Sequence, residues 1–554
     1  MQNLVKSEKI PEHSLFCLTN MKIHITLFKY LGHVMETLSA RARQILLFPA
    51  VLQHRRQHIK GERTVRSSGI LMHITSLPGP YGVGTMGKQA YAFVDFLEKA
   101  GQTCWQILPL TPTGFGDSPY QSCSTFAGNP YLIDLDMLVE EGLLKAEDLA
   151  GIRWCRKEDR VDFGLLYKNR LKVLHLAYER FAGSAVFDAF CEENREWLPD
   201  FALFMAQKDR SHGKPWYEWK QTLKSRQAKA MAKAREELAE QIRFYSFVQF
   251  LFFTQWNALH SYAAEKNIEI IGDVPIYVPL DSVEVWSHPE LFQLDENLNP
   301  TAVAGCPPDA FTEDGQLWGN PLYRWDAHEA DGYKWWMNRL AAAGKLYDVT
   351  RLDHFRGLEA YWSVPFGDKT ARNGKWVKGP GSSFVQALKK NLPEQKLIAE
   401  DLGFLTQEVL DLRDESGYPG MKVLQFAFDS KEPSDYLPHT YSQNTVCYTG
   451  THDNMTMRQW FETSSKEVVD YAAAYMTLTK KEGYVWGAIR TALASVSDVC
   501  IIQMQDYLNL GAAARMNFPG TLSISNWTWR AKDGMISEDL AKKIRELTTL
   551  YARI

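Results

Sequence analysis

The 554-residue chain contains no Cys-x-x-Cys pair, and its eight cysteines are scattered from Cys17 to Cys500. That spacing matches neither a zinc site nor a disulfide framework. The thiols read as free and buried in a reducing compartment, and a cytoplasmic location is expected. No stretch of about 18 apolar residues occurs, so neither a transmembrane helix nor a membrane partner is expected. An excess of one charge is also missing. With 62 Lys and Arg against 66 Asp and Glu, the formal charge is −4, which gives no global attraction for nucleic acid. Tandem repeats and low-complexity tracts are absent too. Aromatic residues are abundant: 17 Trp, 24 Tyr and 28 Phe. Part of that set builds a large core, and the rest suits the walls of a cleft whose ligand presents apolar faces.

Residues 1–65 stand apart. They carry ten Lys and Arg against four Glu, and their apolar run "LLFPAVL" is broken by Pro49. No clean apolar core followed by a small-residue cleavage site marks a secretory signal. The segment reads as a basic, weakly ordered extension.

From residue 66 onward, short runs rich in Ile, Val, Leu and Tyr recur. Strands are predicted at 69–75, 103–110, 268–274, 347–353, 396–401, 422–428, 445–450 and 499–505. Near-continuous apolar runs of this length fit parallel strands buried on both faces. Helical patterns separate or follow most of them, at 87–100, 332–344, 382–391, 405–416, 466–495 and 536–552. Eight such units in order predict a (β/α)8 TIM barrel over 66–554. The gap between the second and third strands is too long for one crossover. Residues 135–240 read as a large, mostly helical insertion, running through 225–264 into the barrel's own helix.

Barrel chemistry gathers where strands end. "GDVPIYV" places Asp273 there, "RLDHFRG" places Asp353, "IAEDLG" places Glu400 and Asp401, and "TGTHDN" places His452 and Asp453. Singly, each residue reads as a cap or a turn former, and Asp401 before Leu-Gly looks most like a cap. Together they form a ring of acids with basic companions. A divalent metal is disfavoured, because the set lacks His-x-His or Glu-x-x-His spacing and Arg351 lies two residues from Asp353. Paired carboxylates for glycoside chemistry fit better. Arg351 and Asp353 share one strand face by period-two alternation, so a guanidinium there would orient the carboxylate and balance its charge. Glu400, following "LIA", sits where a less polar setting would keep it protonated.

These strings, with "SLPGPYGVGTMG", "WQILPLTPTGFGDSPYQS", "FAGNP", "VAGCPPDAFTEDGQLWGNPLYRW" and "RMNFPGT", closely resemble the 4-α-glucanotransferases, or amylomaltases, of glycoside hydrolase family 77. The resemblance runs from about residue 66 to the C-terminus. It implies transfer of α-1,4-glucan segments between maltooligosaccharides through a covalent glycosyl-aspartate, with retention and without a cofactor. Asp353 would be the nucleophile, Glu400 the acid/base and Asp453 the carboxylate gripping the sugar hydroxyls. Arg351, His452, Asp273 and Tyr120 would line the same subsite, with the tyrosine stacking on the sugar ring. Trp318 and Asn320 would lie in an acceptor-side loop, 304–321, and 374–381 would be a second flexible loop over the cleft. Ala310 departs from the Tyr that some members carry. An α-amylase-type hydrolase is the alternative, because water and sugar acceptors use the same residues. The partners implied are glucan donor and acceptor alone.

Overall fold

The computed structural model describes residues 66–308, 312–403, 405–428 and 434–554, which fall within one compact unit. The reading of residues 1–65 and the departure at Ala310 lie outside the described residues.

Eight parallel strands form the centre: β1 (Ser67–Leu71), β2 (Cys104–Gln106), β3 (Glu269–Val274), β4 (Val349–Leu352), β5 (Lys396–Ala399), β6 (Gly420–Val423), β7 (Thr445–Tyr448) and β8 (Val499–Gln503). Their order in the sheet is β6-β7-β8-β1-β2-β3-β4-β5. The seam between β5 and β6 is bridged without a ladder. Ala399 N–H donates to Pro419 O at 2.9 Å, and Met421 N–H donates to Asp401 Oδ1 at 2.7 Å. Asp401 also accepts from Arg413 Nη1 at 2.8 Å. It is therefore a clasp across the barrel seam, held away from the polar ring at the mouth.

The strands form because their residues are buried on both faces. Ile70, Trp105, Ile270, Val446 and Ile501 are fully buried, each worth roughly 1.5–3 kcal/mol relative to exposure. Gly272 in β3 shows how tightly the helical layer closes on the strands. A Cβ there would lie 2.1 Å from the Tyr347 ring. The helices Lys88–Lys99, Ala239–Glu265, Lys334–Leu346, Gly381–Asn391, Gln407–Ser416, Tyr484–Ala494 and Glu538–Leu550 follow seven of the strands; after β6 the described residues form only the short helical turns Leu424–Ala427 and Pro438–Thr440. Between β2 and the helix Ala239–Glu265, residues 135–237 are folded into further helices, the longest being Phe163–Glu179 and Leu198–Arg210.

Several elements differ from expectation in their limits. The runs 69–75, 422–428 and 499–505 begin as strands but end in helical turns, at Ile74–Ser76, Leu424–Ala427 and Met504–Tyr507. An unbroken apolar run carries no mark of where the ladder stops. The helix expected over 466–495 is two, Lys466–Tyr475 and Tyr484–Ala494. The breaks at Thr477 and Gly483 have φ of 54° and 87°, outside helical backbone.

The two expected loops are corrected in part, because strands take up portions of both. A four-stranded antiparallel sheet runs Gln316–Pro321, Ala302–Cys306, Ala360–Pro365, Lys375–Lys378. The segment 304–321 is therefore mostly a hairpin, and 374–381 is a strand leading into a helix. Among the described residues no helix is long and apolar enough to cross a membrane, and no group of three or more His, Cys, Asp or Glu is arranged to hold a metal ion.

Candidate active site

β3 and β4 pair in parallel with Asp273 opposite Arg351. That register brings an acid and a guanidinium side by side inside the barrel, where Asp273 and Arg351 are 2% and 4% exposed. Arg351 Nη1 donates to both Asp273 oxygens, at 2.9 and 2.7 Å, and to Asp353 Oδ1 at 2.8 Å. One nitrogen thus bridges the two carboxylates. Burial works against the guanidinium charge, but Asp273 and Asp353 outweigh it and hold the arginine well above its ordinary value. Burial pushes the Asp273 carboxyl up, to about 7, against the pull of Arg351. Tyr120 O–H completes this anchor by donating to Asp273 Oδ2 at 2.8 Å.

Asp353 follows the last residue of β4. Its N–H continues the ladder to Val274 O at 3.0 Å, which fixes the side chain beside Arg351. The next residue, His354, has φ of 54°, a left-handed conformation that costs a non-glycine residue about 1–3 kcal/mol. This turn aims the His354 N–H at Glu400 Oε2, 2.6 Å away. Leu402 N–H holds the other oxygen at 3.1 Å, and the Glu400 N–H bonds Leu352 O at 3.1 Å. Two neighbouring strand ends are therefore stitched together, with the Asp353 and Glu400 side chains emerging from the stitch. Glu400 keeps an edge open to the mouth, yet loss of surrounding water pushes its carboxyl up to about 8, and Asp353 adds to the rise against Arg351. That rise favours the protonated form of the carboxyl. The His354 imidazole is driven down to about 4 by burial and stays neutral.

The third arm comes from β7. His452 is buried and its imidazole is lowered by that burial against the pull of Asp453. Its ring stacks on Tyr120 at 5.1 Å, and its Nε2 lies 3.4 Å from Asp453 Oδ2. The Tyr120 ring expected to stack on ligand thus has an imidazole on one side. Asp453 keeps 41% of its side chain exposed.

Residues that the sequence reading assigned no role hold Asp453 in place. Asn517 Nδ2 donates to its Oδ1 at 2.6 Å, Asn517 N–H donates to His452 O at 3.1 Å, and Arg515 Nη2 donates to Asp453 O at 2.8 Å. Both lie in "RMNFPGT", some 60 residues downstream, and no spacing pattern links them to Asp453.

The antiparallel sheet forms one wall. Trp318 and Asn320 lie on one face of the strand Gln316–Pro321 by alternation. Trp318 meets the His354 ring edge-on at 4.8 Å, and Asn320 Oδ1 accepts from Gln121 Nε2 at 3.3 Å. Trp376, on the strand Lys375–Lys378, lies 3.8 Å from the Arg356 guanidinium, a cation–π contact. All nine residues singled out in the sequence lie at the strand ends, loops or sheet bordering this mouth. Asp353, Glu400, Arg351, Asp273, Tyr120, His452 and Asp453 join in one contact network. Trp318 joins through His354, and Asn320 joins beside Gln121 next to Tyr120.

The fold and the polar constellation define the class: a (β/α)8 barrel with its acids and arginine at the C-terminal rim. The chain belongs to the 4-alpha-glucanotransferase family of glycoside hydrolases, family 77, whose model matches residues 72–536. It is 50% identical over 486 residues to a 4-alpha-glucanotransferase of Clostridium butyricum, covering 87% of this chain and all of that one. It is 47% identical over 502 residues to that of Thermus thermophilus, covering 88% of this chain and 99% of the relative. Among solved structures, the amylomaltase of Streptococcus agalactiae in complex with acarbose superposes with a TM-score of 0.86. The identity is 43%, over 88% of this chain and 99% of that one.

Proposed function

We propose that residues 66–554 form the catalytic unit and transfer α-1,4-glucan segments between maltooligosaccharides by double displacement. Asp353 attacks the anomeric carbon, and Glu400 delivers its proton to the leaving glycosidic oxygen. The bond to the leaving glucan breaks as the Asp353 ester forms. An acceptor 4-hydroxyl then attacks the same carbon, returns its proton to Glu400, and frees Asp353. Arg351 orients Asp353. Asp453, held by Asn517, grips ring hydroxyls, and Tyr120 with neutral His452 frames the sugar. No cofactor enters these steps. The cytoplasmic placement is part of the same reading and rests on the scattered free thiols, seven of which fall among the described residues.

The observation that carries the assignment is the contrast between two neighbouring carboxyls. Asp353 accepts a guanidinium hydrogen bond, while Glu400 is pushed up to about 8. One is set up as nucleophile and the other as acid. The acarbose carried by the S. agalactiae amylomaltase supports an oligosaccharide ligand.

The pH profile tests the acid. Because Glu400 must enter the first step protonated, kcat/KM should hold up to about pH 8 and then fall ~10-fold per unit. A basic limb that begins instead near pH 5 would contradict the role.

Transfer needs an oriented acceptor and poorly placed water. Trp318, edge-on to His354, is positioned to serve both ends. Trp318→Ala should raise the acceptor KM about tenfold, ~1.4 kcal/mol of binding, and increase the hydrolytic share of products. Product analysis by chromatography reads both effects; an unchanged ratio of transfer to hydrolysis would leave the tryptophan a packing residue.

A further inference from the structure

The segment that carries Asp453 leaves β7 at Thr449 and ends where the helix Met457–Thr463 begins. Both of its ends are tied to one residue that the transfer steps do not use. Asp506, in the helical turn Met504–Tyr507 just after β8, is fully buried. Its Oδ2 accepts from Thr449 O–H at 2.7 Å, and its Oδ1 accepts from Met457 N–H at 2.7 Å. Met457 opens its helix, so no carbonyl of that helix can take its N–H.

An acid is an unfavourable choice for such a place. Both donors are neutral, and burial pushes the Asp506 carboxyl up, to about 7, against the two hydrogen bonds. An apolar residue of similar size would avoid burying a charge. What the carboxyl supplies is geometry. Thr449 and Met457 are themselves fully buried, so each brings a donor that needs an acceptor inside the protein. One oxygen for each fixes the separation of the segment's two ends.

The residues between those ends are held in the same way. Asn454 Oδ1 accepts from Thr451 N–H and Thr451 O–H at 2.8 and 2.9 Å, and Gln425 Nε2 donates to Met455 O at 2.7 Å. A Cβ at Gly450 would lie 2.7 Å from Gln425 Nε2 and 2.9 Å from Gln503 Nε2. With the interior pinned and packed in this way, a shift of either end is passed on to Asp453.

We infer that Asp506 is a positioning residue for glucan transfer, clamping the segment 449–457 so that Asp453 meets the sugar in register. It touches no substrate and acts through Asp453, so the inference rests on the role given to that carboxylate above. Hydrogen bonds to ring hydroxyls strengthen as the sugar distorts toward the transition state. A displaced Asp453 therefore weakens the transition state more than the bound donor.

The test is kinetic, on the full chain with maltotriose. Asp506→Ala should lose about 100-fold in kcat, the cost of a displacement of about 1 Å at a reacting centre. KM should stay within about threefold of the unmodified value. Asp506→Asn should rescue kcat to within about threefold, because its carbonyl accepts from Met457 N–H and its amide donates to Thr449 Oγ1. Thr449→Val removes one hydroxyl, keeps the shape and should lose about tenfold in kcat. In an Asp453→Asn background, the alanine loss should shrink below about threefold, because the group it positions is already gone. Circular dichroism establishes that each variant is folded. If alanine does not fold, Thr449→Val carries both comparisons. An unchanged kcat in these folded variants, or losses that multiply fully in the Asp453→Asn background, would overturn the inference. Failure of the reading beneath it looks different: Asp453→Asn alone would then transfer glucan at the unmodified rate.

Discussion

Asp353→Asn should abolish transfer while leaving the fold in place. The amide cannot form the glycosyl ester, and loss of a covalent nucleophile costs on the order of 10^4–10^6 in kcat. The environment that sets up the aspartate does not depend on its charge alone. Its N–H bonds Val274 O, and Arg351 keeps both contacts to Asp273. Circular dichroism and thermal melting should therefore match the unmodified enzyme. A folded variant that retains transfer would remove Asp353 from the mechanism.

Glu400→Gln should lose about 10^2–10^4-fold on maltooligosaccharides, the usual worth of a general acid. On an α-glucosyl fluoride donor the first step should be largely spared, because fluoride leaves without being protonated. The ester then waits for a nucleophile that needs no base, and azide should accelerate its breakdown. Equal loss on both donors would deny the acid role.

The same substitution has a stability signature. The folded state raises the Glu400 carboxyl from an ordinary 4.5 to about 8. Its stabilising contribution is therefore complete below about pH 4.5 and is lost as pH rises through 8. Gln, which never ionises, should raise the melting temperature relative to wild type at pH 9. No such gain is expected at pH 4.

Much of this arrangement was legible in the sequence for a physical reason. Parallel strands buried on both faces are short apolar runs, and the polar residue that ends each run falls at the rim. "DVTRLDHFRG" shows the run, its end and the same-face pair Arg351 and Asp353 in ten residues. What escaped depends on long-range contact. Asn517 supports Asp453 from 64 positions away. The antiparallel sheet also escaped, because Gln316–Pro321 and Lys375–Lys378 are half-polar and glycine-flanked, and gain strand geometry only from the partners Ala302–Cys306 and Ala360–Pro365. Strand ends were overrun at β6 and β8, where apolar residues continue past the ladder into helical turns. The Tyr120–His452 stack joins the loop after β2 to the end of β7, and neither string carries a trace of the other.

The most direct measurement is incubation with maltotriose alone, followed by chromatography of the products and a count of reducing ends. A glycosyl ester at Asp353 resolved by sugar should yield glucose and a ladder of longer oligosaccharides, with almost no net gain in reducing ends. A rise in reducing ends that matches substrate consumed, with no product longer than maltotriose, would mean that water resolves the ester and that the enzyme is a hydrolase.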